Sequence, residues 1–242
     1  MPSGALPDPF AADAVLLDMD GTLVDTEGAW FDAERAVAAR YGVALPRDAE
    51  AVLHGLDVGA ILDALIDRYG VPAAPERLRA DVNAAVADAL RRTPARPGAA
   101  AFVAHLAARD HPRAVVSNAP RAAMQATLAP HPFDAALAVR ISVDDVAQGK
   151  PAADPYLAAA ARLGVAPERA LAVEDSLPGA TAARAAGVPC VLLTHGVLEA
   201  SVAREVTPYV ATSFPDAWPH LVRDSEVTTP RAAHADAVKE AP

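Results

Sequence analysis

Short apolar runs that end in polar residues alternate with helical patterns over most of the chain. The run from Ala14 to Leu17 stops at Asp18, and it predicts a buried strand that delivers a carboxylate at its carboxyl end. Four later runs predict further strands: Arg113 to Val116, Asp134 to Val139 or Ile141, Ala170 to Val173, and Val188 to Leu193. This alternation predicts an α/β fold with a parallel, doubly wound, Rossmann-like sheet.

Residues 28–92 contain helical stripes and no strand pattern. The stripes are Trp30, Ala33, Val37 and Tyr41, then Ile61, Leu62, Leu65, Ile66 and Tyr69, then Leu78, Val82, Val86 and Leu90. They predict an all-helical cap domain inserted after the first strand. We therefore divide the chain into a catalytic core (residues 1–26 and 95–222), a helical cap (27–94) and a flexible tail (223–242).

Composition and charge narrow the functional classes. The chain has 242 residues, of which 52% are hydrophobic and 21% charged, so it is not intrinsically disordered. Its net charge is −10 without a clustered basic surface, which argues against a nucleic-acid partner. No apolar stretch is long enough for a membrane span, the N-terminus lacks a signal-peptide pattern, and the one cysteine, Cys190, fits a buried strand. We expect a soluble cytoplasmic protein, either a monomer or a weak dimer.

Polar residues follow the predicted strands at the points where the strands end. They are Asp18 and Asp20, Ser117 and Asn118, Lys150, and Glu174 with Asp175. Carboxyl ends of strands in a doubly wound sheet meet at one crevice, so we expect these side chains to converge there. Crowded carboxylates repel one another, and a hard divalent cation such as Mg²⁺ removes that cost.

Simpler interpretations exist for single elements of this pattern. Asp20-Gly21 is common turn chemistry, and an isolated lysine after Gly149 is usually a solvated loop residue. A turn, however, does not explain the polar groups at the later strand ends. Lys150 is also one of only two lysines in a chain that otherwise uses arginine for its cations.

Four ordered motifs resemble those of the haloacid dehalogenase superfamily. They are LLDMDGTLVDTE (Leu16 to Glu27), Ser117-Asn118, Lys150-Pro151 with Asp154, and Val173-Glu174-Asp175-Ser176 followed by Gly179. The cap position is similar to that of the subgroup containing beta-phosphoglucomutase, phosphoglycolate phosphatase and hexitol phosphatases. The segment from Thr26 to Val43 most resembles the hexitol and deoxyhexose phosphate phosphatases, in which a Trp and a downstream Glu lie near the cap entrance.

This resemblance implies a Mg²⁺-dependent phosphatase that works through an aspartyl-phosphate. Asp18 would be the nucleophile and Asp20 the general acid and base. The resemblance also implies that Mg²⁺ is held by the Asp18 carboxylate, the Asp20 carbonyl and Asp175, with Glu174 direct or through water. Dehalogenases of this family lack an acid at the position of Asp20, and the phosphonatase route needs a cap lysine that this cap does not have.

The same resemblance implies a phosphate-binding group. Lys150 would pair with both Asp18 and phosphate, and Ser117, with neighbouring backbone N–H groups, would bind phosphoryl oxygens. We add Asn118, Thr22 and Gly21 as phosphate-binding candidates. Thr22 would donate a hydrogen bond to Asp18 or shape the turn, and Gly21 allows the bend that turns both aspartates to one substrate.

Residues of the cap distinguish a hydrolase from a mutase. Its candidate contacts are His54, Gly55, Asp57 and Trp30, although His54 also fits a plain surface residue and Trp30 fits cap core. The loop around Asp57 resembles the specificity loop in which the related mutases carry an arginine for a second phosphate. An acid at this place is unfavourable beside a second phosphate. Its carboxylate can instead accept hydrogen bonds from sugar or polyol hydroxyl groups.

We therefore expect a phosphoric monoester hydrolase for a small phosphorylated metabolite, a sugar or polyol phosphate. The alternatives are a sugar phosphomutase of the same family and a non-catalytic phosphate-binding regulatory module. The remaining histidines, including His195, have no metal-ligand spacing and are interpreted as structural.

Overall fold

A six-stranded parallel sheet forms the centre of the protein. The computed structural model describes residues 6–26, 28–53 and 58–222. The strands are β1 (Ala14–Leu17), β2 (Arg113–Val116), β3 (Val139–Ile141), β4 (Ala170–Glu174), β5 (Cys190–Leu193) and β6 (Tyr209–Ala211). Their order is β3-β2-β1-β4-β5-β6, which is the doubly wound arrangement. The α/β Rossmann-like prediction with an inserted helical cap is confirmed.

Alternation along the strands explains why helices cover both faces of the sheet. Val15 and Leu17 of β1 pack into one buried cluster, and Leu16 packs into the other. Side chains also alternate along β4, where Leu171 and Val173 pack into the same cluster as Val15 and Leu17. Each face is therefore apolar, and each is buried under helices. Cys190 is a free, buried strand thiol, as its sequence context predicts.

Eleven helices accompany the sheet in the described residues. They are α1 (Ala29–Arg40), α2 (Ala49–Leu53), α3 (Val58–Asp63), α4 (Pro75–Leu90), α5 (Ala99–Ala108), α6 (Arg121–Leu128), α7 (Asp154–Leu163), α8 (Leu177–Ala185), α9 (Ala200–Val206), α10 (Phe214–Ala217) and α11 (Pro219–Val222). A π-helical turn, Ala64–Arg68, continues α3, and short 3-10 turns occupy Asp134–Ala136, Val143–Asp145 and Pro167–Arg169. None of these helices is long and apolar enough to cross a membrane.

Two parts of the core differ from the expectations. The segment from Asp134 begins as a 3-10 turn, and β3 is only the three residues Val139–Ile141. The last strand, β6, was not predicted, because three residues are too few to show an alternating pattern. It completes the sheet by pairing with β5.

The helices α1 to α4 share an apolar core of their own, separate from the two sheet clusters. The predicted stripes supply it: Val37, Leu65, Leu78 and Leu90 are at most 1% exposed. Two linkers join this cap to the sheet and run side by side, with an antiparallel bridge between Val24 and Ala95. The exact boundaries at residues 27 and 94 stay a prediction. Glu27, His54, Gly55, Asp57 and residues 223–242 lie outside the described residues.

Candidate active site

The site begins where β1 and β4 end next to each other. These strands lie at the point where the chain order of the sheet reverses, and ligands of such sheets bind at that point, outside the carboxyl ends. Leu17 is in register with Val173, and the Asp18 amide donates to the Val173 carbonyl at 3.0 Å. This pairing places Asp18 beside the Glu174-Asp175 sequence that follows Val173.

Lys150 connects three of the strand ends. Its ammonium nitrogen, Nζ, lies 2.6 Å from Asp18 Oδ1, 2.5 Å from Glu174 Oε1 and 2.8 Å from the Val116 carbonyl oxygen. The Lys150 side chain is only 4% exposed, so it is a buried ion-pair partner and not a solvated loop residue. Its three donors are all used, which fixes the orientation of the Asp18 carboxylate.

Glu174 is enclosed by hydrogen bonds. Its Oε1 atom accepts from Lys150 and from the Tyr156 hydroxyl at 2.8 Å, while Oε2 accepts from the Ser176 hydroxyl at 3.0 Å. Gly179 leaves the space that this carboxylate needs, because an added Cβ would lie 1.8 Å from Oε1. Glu174 is therefore held rigidly behind Asp18, and it is fully buried.

Asp175 packs against the turn that follows Asp18. Gly21 adopts φ +81°, and a Cβ at this position would lie 2.0 Å from Asp175 Oδ2. The Thr22 hydroxyl donates to Asp175 Oδ1 at 3.2 Å, so this hydrogen bond goes to Asp175 and not to Asp18. Only glycine satisfies both the left-handed backbone and the close approach of the carboxylate.

Asp20 faces the end of β2. The Ser117 hydroxyl donates to Asp20 Oδ2 at 2.9 Å and accepts from the Ala119 amide at the same distance. Asn118 forms two hydrogen bonds with the Lys150 backbone: its amide donates to the carbonyl, and its oxygen accepts from the N–H. These contacts join the second predicted strand end to the lysine loop.

Burial and mutual repulsion set the protonation of this cluster. Burial and then the neighbouring Glu174 raise the pKa of Asp18 well above its ordinary value, although Lys150 opposes the shift. The same two causes raise the pKa of Asp175 to about 7. Burial also raises the pKa of Asp20, against the hydrogen bond from Ser117. Burial alone would lower the pKa of Lys150, but Asp18 and Glu174 outweigh it and raise that pKa.

The donor set fits a hard divalent cation. Carboxylate oxygens of Asp18, Glu174 and Asp175 all lie within 4.8 Å of one another. Asp18 Oδ2 is buried and has no hydrogen-bond partner, which is costly for an ionised oxygen. A cation at this position would satisfy that oxygen and offset the repulsion that raises the pKa values of Asp18 and Asp175.

A cavity of about 800 Å³ separates this cluster from the cap. Its floor includes Asp20, Gly21, Asn118 and Asp175, which neighbour Asp18 in the cluster. The N-terminal end of α6 and the loop after β5 form its sides. A small organic phosphate has room between the floor and the cap.

The predicted residues of the core come together in the structure. Asp18, Asp20, Ser117, Lys150, Glu174 and Asp175, together with Thr22, Gly21 and Asn118, form one connected group. Of the predicted cap contacts, Trp30 both packs on the cap core and lines the cavity.

Four further residues belong to the site or its walls. Tyr156 binds Glu174, and its position on an apolar helix face gave no sign of this role. Arg96 donates to the Gly21 carbonyl at 2.9 Å. His195, interpreted above as structural, lines the cavity directly after β5, so the strand-end rule that identified Asp18 applies to it as well. Glu34, four residues after Trp30 and on the same helix face, also lines the cavity.

The fold and this site define an α/β protein with a buried carboxylate–lysine cluster that fits a cation, and comparison with known proteins supplies the family. The model of haloacid dehalogenase-like hydrolases matches residues 12–187, which is most of the chain. The chain therefore belongs to the haloacid dehalogenase-like hydrolases, and its resemblance to that superfamily is confirmed.

Named relatives of this chain include phosphatases. It is 33% identical over 181 residues to the fructose-1-phosphate phosphatase YqaB of Escherichia coli, covering 73% of this chain and 94% of that protein. It is 29% identical over 177 residues to a bifunctional riboflavin kinase/FMN phosphatase of Arabidopsis thaliana; this covers 73% of the chain but only 47% of that relative's length. A putative beta-phosphoglucomutase structure from Thermotoga maritima shares the fold, with a TM-score of 0.78, 23% identity, and coverage of 90% of this chain and 100% of that one.

Proposed function

We propose that this protein is a Mg²⁺-dependent phosphatase that hydrolyses a small sugar or polyol phosphate through an aspartyl-phosphate. One observation carries the proposal: Lys150 holds one oxygen of Asp18, the other oxygen has no partner, and Asp20 and Asp175 line the cavity in front of it. A sugar-phosphate substrate is supported by the 33% identity to the fructose-1-phosphate phosphatase.

Asp18 is the nucleophile in this proposal. Its carboxylate oxygen attacks phosphorus, the bond from phosphorus to the substrate alcohol breaks, and the phosphoryl group is transferred to Asp18. Lys150 opposes the rise in the pKa of Asp18 that burial and Glu174 cause, and its ion pair fixes the orientation of the attacking carboxylate. The Ser117 hydroxyl already donates to Asp20 and the Arg121 N–H to Asp144, so in this proposal the other backbone N–H groups at the start of α6 receive the phosphoryl oxygens.

Asp20 is the general acid and then the general base. Burial raises its pKa, which favours the protonated carboxyl group, and this group donates its proton to the leaving alcohol oxygen. In the second step Asp20 accepts a proton from water, the water oxygen bonds to phosphorus, and the bond to Asp18 breaks to release inorganic phosphate. Ser117 orients Asp20 through its hydrogen bond.

Asp18, Asp175 and the Asp20 carbonyl would hold Mg²⁺, with Glu174 supporting the site from behind Asp18. Bound there, Mg²⁺ would supply positive charge that reduces the repulsion between the anionic nucleophile and the anionic phosphate. Glu174 and Thr22 position the other ligands, because their hydrogen bonds are already made within the protein.

The test is release of free phosphate from fructose 1-phosphate by the purified protein. We expect release with Mg²⁺, loss of release with EDTA, and recovery when Mg²⁺ is added back. Conversion of a hexose phosphate into an isomer without release of phosphate would instead favour the phosphomutase. Binding of phosphate esters with neither product would favour the regulatory module.

A substitution of the nucleophile tests the covalent route. Asp18→Asn keeps the shape of the side chain but removes its nucleophilic charge, and we expect the phosphatase rate to fall by on the order of 10⁴ or more. Asp32→Asn, on an exposed cap position, is the matched control and keeps full activity. Unchanged turnover in Asp18→Asn would refute the covalent mechanism.

A further inference from the structure

Glu34 is a buried carboxyl group with no partner among the residues that the structure describes. It lies in α1 of the cap, is 2% exposed and lines the cavity opposite the site described above. No hydrogen bond or ion pair reaches its side chain within the described residues. Buried carboxyl groups are normally paired or hydrogen-bonded, so its position calls for a partner from outside the chain.

The rest of the cap wall is apolar. The other cap residues that line the cavity, within the described ranges, are Gly28, Trp30, Phe31, Leu53, Ile61 and Leu90. Ligand pockets commonly combine such apolar walls with one or a few polar groups that fix the orientation of the ligand. Among these described residues, Glu34 alone carries an ionisable group.

The protonation of Glu34 suits a neutral ligand. Burial by itself raises the pKa of this carboxyl group to about 7, with no charged neighbour contributing. The group therefore exists in both forms near neutrality, and it can accept hydrogen bonds and, when protonated, donate one. Hydroxyl groups match this mixed capacity, whereas an anionic group would force Glu34 to stay protonated.

We propose that Glu34 is a specificity-determining residue that binds hydroxyl groups on the organic part of the substrate. The inference rests on the proposed phosphatase function, and it assigns the ligand class: an uncharged, hydroxyl-rich alcohol esterified to one phosphate. With the phosphate held at the floor by the core, the remaining carbons extend into the cavity toward α1. Trp30 and Phe31 supply the apolar walls beside Glu34.

The same placement selects against some phosphate esters. A second phosphate or a carboxylate at the cap end of the substrate would meet a carboxyl group in a poorly solvated wall, which disfavours both anions. Glu34 therefore also separates monophosphates of polyols from bisphosphates and from phosphoglycolate.

The experiment compares substrates with and without hydroxyl groups on Glu34→Leu and Glu34→Gln. The substrates are fructose 1-phosphate, which offers several hydroxyls, and p-nitrophenyl phosphate, which offers none. For Glu34→Leu we expect KM for fructose 1-phosphate to rise about tenfold, the value of one lost hydrogen bond, with kcat changed less than about twofold. We expect kcat/KM for p-nitrophenyl phosphate to stay within about twofold, since that ester makes no hydrogen bond to lose.

Two further variants define the control and the rescue. Glu34→Gln keeps groups that donate and accept hydrogen bonds. We therefore expect its KM for fructose 1-phosphate to lie close to the wild-type value. Glu76→Gln replaces an exposed glutamate in the first turn of α4 and should change neither substrate. Because no described residue pairs with Glu34, Glu34→Leu should also unfold at a temperature no lower than that of the wild type.

Several results would overturn this assignment. They are an equal loss on both substrates, no change on fructose 1-phosphate, or a lower unfolding temperature of Glu34→Leu. Failure of the proposed function gives a different result, since the wild type would then release phosphate from none of the esters.

Discussion

The sheet edge and the cap face each other across one cavity, but they hold their charged groups differently. At the sheet edge, Lys150 binds both Asp18 and Glu174, and Glu174 is bound in turn by Tyr156 and Ser176. On the cap wall, Glu34 has no partner among the described residues. Under the proposed function, the groups for the chemical step would be fixed before substrate arrives, whereas Glu34 would gain its partner only when substrate binds.

The two regions also differ in how the chain builds them. The sheet edge joins residues that are far apart in the chain, such as Thr22 and Asp175, whose hydrogen bond spans 153 positions, and it needs the whole sheet to form. The cap core is assembled from helices that follow one another directly, between Ala29 and Leu90. Changes at the sheet edge should therefore affect stability and chemistry together, and changes on the cap wall should affect substrate choice.

The largest expected effect on stability is at Lys150. Lys150→Met removes one partner of a buried pair and leaves Asp18 and Glu174 uncompensated, which should lower the free energy of unfolding by about 3–5 kcal/mol. Arg35→Met breaks an exposed pair with Asp32 and should cost at most about 1 kcal/mol. Urea unfolding in EDTA measures the free energy of unfolding of both variants. Equal decreases would contradict the view that Lys150 belongs to a buried ion-pair cluster that holds the sheet edge together.

The next largest effect on stability is expected at Gly21, where an added side chain causes crowding as well as backbone strain. Gly21 and Gly164 both have positive φ, at +81° and +71°, but only at Gly21 would an added Cβ meet a carboxylate. Each Ala substitution should cost about 1 kcal/mol for the left-handed backbone, and Gly21→Ala should lose about 1–3 kcal/mol more because Asp175 must move.

Urea unfolding measures the free energy of unfolding of the two glycine variants. A titration with Mg²⁺ then tests whether the displacement of Asp175 also weakens metal binding. Gly21→Ala should need more Mg²⁺ for half-maximal phosphatase activity, whereas Gly164→Ala should match the wild type. Identical unfolding curves for the two variants would show that Asp175 yields to the new methyl group without cost.

The smallest effect concerns the pH dependence of stability on the cap side. Glu34 has a pKa of about 7 in the folded protein, above its ordinary value of 4.5, so the folded state binds the proton more tightly. Stability should therefore fall as pH rises from 4.5 to 7 and level off above 7. In Glu34→Gln this contribution is absent, so the variant should gain on the order of 1–2 kcal/mol over the wild type between pH 4 and pH 8.

Urea unfolding of the wild type and Glu34→Gln across this pH range is the measurement. Glu76→Gln, on the exposed surface, should follow the wild-type curve. Parallel curves for the wild type and Glu34→Gln would show that the carboxyl group of Glu34 is solvated in the folded protein.

The sequence predicted the sheet edge well and the cavity wall poorly. Strand ends are local features, so Asp18 and Glu174 could be found from apolar runs and the polar residues after them, whereas Lys150 lies well beyond β3 and was found as one of only two lysines. His195 follows a strand end too, but its lack of metal-ligand spacing led to a structural interpretation, and the structure places it on the cavity. Tyr156 and Arg96 gave no signal, because an aromatic on an apolar helix face and an arginine in a linker are ordinary.

The sequence by itself determined the parallel α/β fold, the helical insert and the residues that carry the proposed chemistry, because periodicity and strand-end position are properties of neighbouring residues. Only the tertiary structure decided which partners those residues take: Thr22 pairs with Asp175, Tyr156 with Glu174, and Glu34 with no other described residue. Those partners come from packing between elements far apart in the chain, and local patterns do not specify such distances.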